Sequence, residues 1–376
     1  MRRATGVVAA LAASAAVLVV GSAVGKTLAT SSQVQADCIT GPTDTGETAL
    51  TFSIDCSVPL PPVPTVTVTA EPEPTPDPEP EPDPEPTPTP DPEPTPTPTP
   101  DPEPTEPVDP VEPVNGGFPD ASNTGPTGTL ANYTGPCVIN QANYVIRNVD
   151  ATRRCGEIIV NVKGVKIENS IVPRVESTKV DARWNALSGV TITDSEVRAG
   201  NVNVGAVWGY DFKVIRSEVT GGQHSVHCAR DCTVEASWLH GQYNPDGRDF
   251  HTNAFITNGG SNMVVRGNTL HCDSTLNRTG GGCTADLSLF GDFEPVRNVL
   301  VEGNLFKANN SSISYCLYGG ATSSKPHKAT GVRVIDNVFE RGANGKCGVY
   351  GPFTDFDSRA SGNQWSGNRW DDGSPL

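Results

Sequence analysis

The chain has 376 residues, with 34 prolines, 38 glycines and a formal net charge of −16. That length admits two domains, but the prolines crowd into 59–113 and the glycines lie mostly beyond 114, so one folded domain behind a linker is expected. Residues 71–112 hold 14 acidic side chains and no basic one, whereas from 114 onward 24 Lys and Arg face 25 Asp and Glu; this excludes a nucleic-acid footprint and leaves anionic ligands open.

Arg2 and Arg3 precede an apolar run from Gly6 to Gly25, the pattern of an export signal. The run is also just long enough to span a bilayer. Val34-Gln35-Ala36 has the small residues of a cleavage site, so residues 1–36 read as a signal peptide or an N-terminal membrane anchor. If uncleaved, the arginines hold the N-terminus inside and everything after Lys26 outside. The membrane is approached only through this segment. Export and an even count of 10 cysteines favour disulfides. Neighbours in the chain suggest Cys38/Cys56, Cys137/Cys155, Cys228/Cys232, Cys272/Cys283 and Cys316/Cys347. Residues 37–60 are a small segment that the first bridge could close, too short for a core of their own. Residues 61–114 place proline at almost every second position, which removes backbone donors and favours extended polyproline II. At about 3.1 Å per residue, such a spacer reaches on the order of 150 Å.

From 115 to 376 an eight-residue phrase recurs. It is first seen at Val165, Ile167, Ser170 and Val172, then at Val190, Ile192, Ser195 and Val197, and continues through Asn268, Asn304 and Asn337. It fades at Ser358, Ala360, Asn363 and Trp365, and the Ser/Asn positions lie 25, 22, 20, 31, 36, 33 and 26 residues apart. Apolar residues two apart mark a strand with one buried face, and the small polar residue marks a bend. A fixed phrase with variable insertions is a solenoid signature. Tyr133 to Asp150 reads as an N-terminal cap with an incomplete first coil.

A second phrase precedes the first in most coils, as in Gly205-Ala-Val-Trp208, Ser225-Val-His227 and Cys316-Leu-Tyr318. With Val207, Val226, Phe255, Leu289, Leu317 and Val349 inward, alternation sends Trp208, His227, Ile256, Phe290, Tyr318 and Tyr350 outward. Three parallel strands per coil predict an all-β, right-handed parallel β-helix of roughly eight or nine coils.

These phrases resemble the right-handed parallel β-helix superfamily of pectate lyases and polygalacturonases. More narrowly, His251-Thr-Asn253-Ala-Phe-Ile256, Gly259-Gly-Ser-Asn262 and Gly367-Asn-Arg-Trp370-Asp-Asp372 resemble a group of secreted actinobacterial β-helix proteins of undefined activity. Where that group has Asp, this chain has Asn253, which puts any acid or metal-ligand role of that position in doubt. The resemblance to polygalacturonases would call for paired aspartates and Gly-His-Gly, and that to pectate lyases for Arg-x-Pro-x-x-Arg; neither phrase is present in that form.

Five of the six histidines fall between His224 and His271, beside an insertion carrying Asp246, Arg248 and Asp249. His224, His227 and His251 with these three residues form the candidate catalytic set, a general base or acid tuned by carboxylates. The bland alternative is polar ladders and turn contacts. Asp286 and Asp292 add carboxylates for glycoside hydrolysis, and Arg248, Lys325 or Lys328 could serve a lyase. His227, His240, Asp246, Asp249 and His271 include metal-ligand types without a fixed ligand spacing. No cofactor is expected; calcium would start from Asp246 and Asp249. Trp208, Phe290, Tyr318 and Tyr350 are candidates for stacking on sugar rings. The leading expectation is a monomeric, secreted or surface-displayed protein that cleaves or modifies an extracellular polysaccharide as lyase or hydrolase. The alternative is a non-catalytic glycan-binding or structural module.

Overall fold

The computed structural model describes residues 117–309 and 313–376. The readings for 1–36, 37–60 and 61–114, including the Cys38/Cys56 pairing, lie outside the described residues. Among those described, every regular element is a strand, and no helix is long and apolar enough to cross a membrane. The strands stack in three parallel sheets of ten, nine and nine. The chain folds as a right-handed parallel β-helix, each coil giving one strand to each sheet.

The first sheet carries the apolar pairs. Val165–Glu168 pairs with Val190–Thr193 through Val165↔Val190 and Ile167↔Ile192, and Phe212–Ile215 follows in the same register. The members of each pair are buried while the residues between and after them are more exposed, as a period of two requires. The chain then turns sharply into the two- and three-residue strands of the second sheet. Asn169, Asp194, Arg216 and Ala236 hold that turn with φ between 45° and 48°, and Gly267, Gly303 and Asp336 hold it in later coils with φ of 64°, 63° and 55°. Polar or glycine residues suit most of these left-handed positions.

The Ser/Asn residue after each turn is fully buried. Its backbone N–H lies at a corner, and the next coil's side chain accepts it. Ser170 N donates to Ser195 Oγ (3.1 Å), Ser237 N to Asn268 Oδ1 (2.9 Å) and Asn304 N to Asn337 Oδ1 (2.9 Å). Asparagine also donates from Nδ2, as Asn268 does to Val234 O at 2.9 Å. The bend thus requires a small side chain with an acceptor, because an unpaired buried N–H is costly.

The last phrase lies five residues later than expected. Val334 pairs with Trp365, and Asn337 donates to Asn368 Oδ1. The eighth phrase is therefore Asn363, Trp365, Asn368 and Trp370, with the ladder residue Asn368 in place of Asn363. Trp365 fits there because it lies on the final coil, against Phe339, Phe353 and Phe356.

Third-sheet strands include Arg174–Ser177, Gly205–Tyr210, His224–Arg230, His251–Thr257, Gly282–Leu289, Tyr315–Tyr318 and Gly351–Thr354. The Cys137–Cys155, Cys228–Cys232, Cys272–Cys283 and Cys316–Cys347 bridges all form.

Candidate functional site

Backbone pairing in the third sheet sets the file that follows the core. Val207, Val226, Phe255, Leu287, Leu317 and Phe353 share one row, so the adjoining row runs Trp208, His227, Ile256, Ser288, Tyr318 and Thr354. Ser288 and Thr354 take the places expected for Phe290 and Tyr350. Both aromatics lie just outside the strands. Phe290 follows the strand end, packing edge-on to Tyr318 at 5.3 Å with Lys325 Nζ 4.6 Å over its ring. Tyr350 precedes Gly351–Thr354 and is 67% exposed, 5.9 Å from Tyr315. A register slip that preserves the alternation cannot be seen in composition alone.

Trp208 is the floor of a cleft of about 530 Å³, lined also by Trp184, Tyr210, His227, Arg230, Asn258, Phe293 and Glu294. Its ring stacks on His227 at 6.0 Å, and Arg174 lies 5.6 Å from its centroid. Arg174 is in turn bound by Glu157 and Glu176. A nearly buried guanidinium paired with two carboxylates thus lies against the indole.

Two loops supply the walls. In the first, Asp181 Oδ1 accepts the N–H groups of Arg183 (2.8 Å) and Asn185 (2.9 Å), and Trp184 sits at the tip with φ 64°. A bulky residue in the left-handed region is unusual, and this one is 62% exposed. In the second, Asp292 N and Phe293 N both donate to Asn258 O at 3.0 Å, leaving Phe293 82% exposed. Gly259, at φ 138°, permits this close approach: a Cβ there would meet Glu294 O at 2.7 Å. Arg230 ties the walls together. Its Nη2 bonds both oxygens of Glu294 (3.0 and 3.1 Å), and its Nη1 reaches Trp184 O at 3.5 Å.

The candidate catalytic residues divide into two groups. His224, His227 and His251 converge: His224 and His227 meet edge-on at 5.6 Å, and His227 and His251 both lie close enough to disfavour a proton on His224. His224 is buried in a polar chain in which Ser288 Oγ donates to Asn253 Oδ1 (2.7 Å) and Asn253 Nδ2 to His224 Nδ1 (3.3 Å). An amide donor at Nδ1 leaves the imidazole proton on Nε2. Burial, then the neighbouring histidines, pushes His224 down to about 3; burial pushes His227 down to about 4. Both are neutral at physiological pH.

Asp246, Arg248 and Asp249 stay on the exposed surface of their loop. Asp246 is occupied by Arg278, at 2.9 Å to Nε, and Asn277 Nδ2 donates to Pro245 O and Arg248 O at 2.7 Å each. Among the described residues, no hydrogen bond or ion pair joins these three to a histidine. His240 and His271 belong to the second-sheet side. His240 stacks on Trp238 at 3.5 Å and bonds Glu218 Oε1 at 2.9 Å. Burial opposes its charge, but hydrogen bonds to Asp273 and Glu218 outweigh burial and raise its pKa.

Asp286, Cys316 and Cys347 have ligand atoms within 4.8 Å of one another, the one such group among the described residues. The sulfurs are joined in a disulfide, however, so they cannot donate as thiolates. Asp286 is fully buried; burial pushes its carboxyl well above the usual range despite the opposing hydrogen bond from Cys272 N.

Neither a protein-family profile nor a curated protein sequence matches the chain. Among solved structures, a trypsin-treated form of QnrB1, a plasmid-mediated fluoroquinolone resistance protein, is similar at 12% identity. The match covers 61% of this chain and 91% of that one with a TM-score of 0.14, too low to add to the fold or to bear on the site.

Sequence reasoning found Trp208 and His227 but missed Trp184, Tyr210, Arg230, Asn258, Phe293 and Glu294. The one signal for the Trp184 loop is the 25-residue interval between Ser170 and Ser195, against 20 between Ser217 and Ser237.

Proposed function

We propose that this protein is a β-helix of the pectate-lyase-like superfamily, related to the secreted actinobacterial group, and that it binds an extracellular polysaccharide in the aromatic cleft. The observation carrying this reading is the grouping of Trp184, Trp208, Tyr210 and Phe293 around one cavity with His227, Asn258 and Glu294 at its edge. Aromatic faces match the C–H faces of sugar rings, and polar groups at the edge can take hydroxyls. The N-terminal apolar run and the acidic, Pro-rich stretch fit display of this surface outside the cell.

Binding without cleavage is the better-supported form. Two-carboxylate hydrolysis needs a pair of acids flanking the bond. Among the described lining residues Glu294 is the one carboxylate, and Arg230 holds it. One observation favours catalysis: His227 lines the cleft as a neutral imidazole. Its low pKa makes it a weak base, which places this reading second.

The test is retention of the oxidised full chain on immobilised polysaccharides, with products read by mass spectrometry. Trp208→Ala with Phe293→Ala should weaken retention by at least about tenfold, the scale of losing a buried aromatic anchor. Equal retention by wild type and variant would remove the cleft from binding. Cleaved products that vanish in His227→Ala would move the enzyme reading to first place.

A further inference from the structure

We infer that the cleft selects uncharged polysaccharide chains over polyanionic ones, because the guanidinium that lines it is already held by a carboxylate. The inference rests on the glycan-binding reading and concerns which glycan.

Recognition of a polyuronate requires a cation free to replace the hydration of each carboxylate it captures. Among the described lining residues the guanidinium is Arg230, and its Nη2 faces both oxygens of Glu294, while its Nη1 faces Trp184 O. The second guanidinium, Arg174, lies 5.6 Å from the Trp208 ring and is bound by Glu157 and Glu176. Around the floor and wall, two guanidiniums thus meet three carboxylates. The imidazole of His227 adds no positive charge, since burial keeps it neutral above about pH 4. A chain carrying a carboxylate on each ring would have to displace Glu294 from Arg230 or leave its own carboxylates unpaired, which acts against that ligand while the aromatic walls act for a neutral one.

Glu294→Gln tests this, because it keeps the side-chain volume and frees Arg230. Full-length wild type and variant would be measured against neutral chains (β-glucan, xylan, galactan) and acidic ones (polygalacturonate, alginate), at low and high salt. Circular dichroism would confirm that the variant is folded. Wild type should bind a neutral chain with little salt dependence and acidic chains at least about tenfold more weakly. In Glu294→Gln the ratio of acidic to neutral binding should rise about tenfold at low salt, and the rise should disappear at high salt. Tighter, salt-sensitive binding of an acidic chain by wild type would overturn the inference while leaving glycan binding intact. An unchanged ratio in the variant would also overturn it. Binding to neither class would overturn the glycan reading itself, and the inference with it.

Discussion

Asn253 fixes the tautomer of His224, whose protonation burial already opposes. Its amide accepts from Ser288 Oγ and donates to His224 Nδ1, so the imidazole is held as the Nε2–H tautomer and resists a second proton. Relative to the ordinary value of 6.5, both His224 and His227 are depressed in the fold. Below pH 6.5 the unfolded chain therefore takes up protons that the fold refuses, and stability falls as pH drops toward about 4 and then about 3. Asn253→Asp should reverse the His224 contribution. A carboxylate facing Nδ1 would raise its pKa, and that stabilisation would be present below pH 6.5 and lost as pH rises through the raised value. Histidine NMR titration and urea midpoints at pH 7 and pH 5 would read both effects. Identical pH slopes in the two proteins would mean that the amide does not control His224. His224 and Asn253 were singled out in the sequence, but the chain that joins them to Ser288 was not, because Asn253 and Ser288 lie 35 positions apart and meet only through coil stacking.

Among elements, the disulfides differ most in what they constrain. Cys228–Cys232 closes a separation of 4 residues across one turn, whereas Cys316–Cys347 closes 31 and pins a loop to the Tyr315–Tyr318 strand. Loop-closure entropy makes the longer bridge worth about 2 kcal/mol more. Replacing Cys316 and Cys347 by serine should lower the unfolding free energy by that much more than replacing Cys228 and Cys232, measured by guanidinium denaturation. Equal losses would show that native-state packing, not chain entropy, sets their value. The pairings were legible from neighbour order because each bridge stays within one coil or joins adjacent ones. The aromatic file was only partly legible. Trp208 and Tyr318 are placed by local alternation, but Leu289-Phe290 and Val349-Tyr350 fit the same pattern away from that row: Leu289 pairs with Thr257, two positions past Leu287, and Tyr350 precedes its strand.

For the whole molecule, a solenoid needs its last coil covered, since each coil is stabilised mainly by its neighbours. Phe306 and Phe339 stack at 4.4 Å along the core, and Trp365 closes over Phe339, Phe353 and Phe356, with Arg341 4.4 Å over Trp370. A chain ending at Asn363 loses both tryptophans and uncovers that aromatic end. It should self-associate, read as early elution in size-exclusion chromatography. A monodisperse, folded truncated chain would show that these rings do not serve as a cap.

The sequence by itself determined the coil. An inward pair, a left-handed turn and a buried Ser or Asn are each dictated within about eight residues, and stacking repeats the same local requirement. Tertiary structure alone decided the register of the face, the five-residue offset of the last phrase and the aromatic cleft. Backbone hydrogen bonds between coils choose among apolar patterns that alternation leaves equivalent. The cleft depends on loop tips whose positions come from contacts far apart in the chain: Arg230 joins Trp184 to Glu294, and Gly259 admits the segment that carries Phe293.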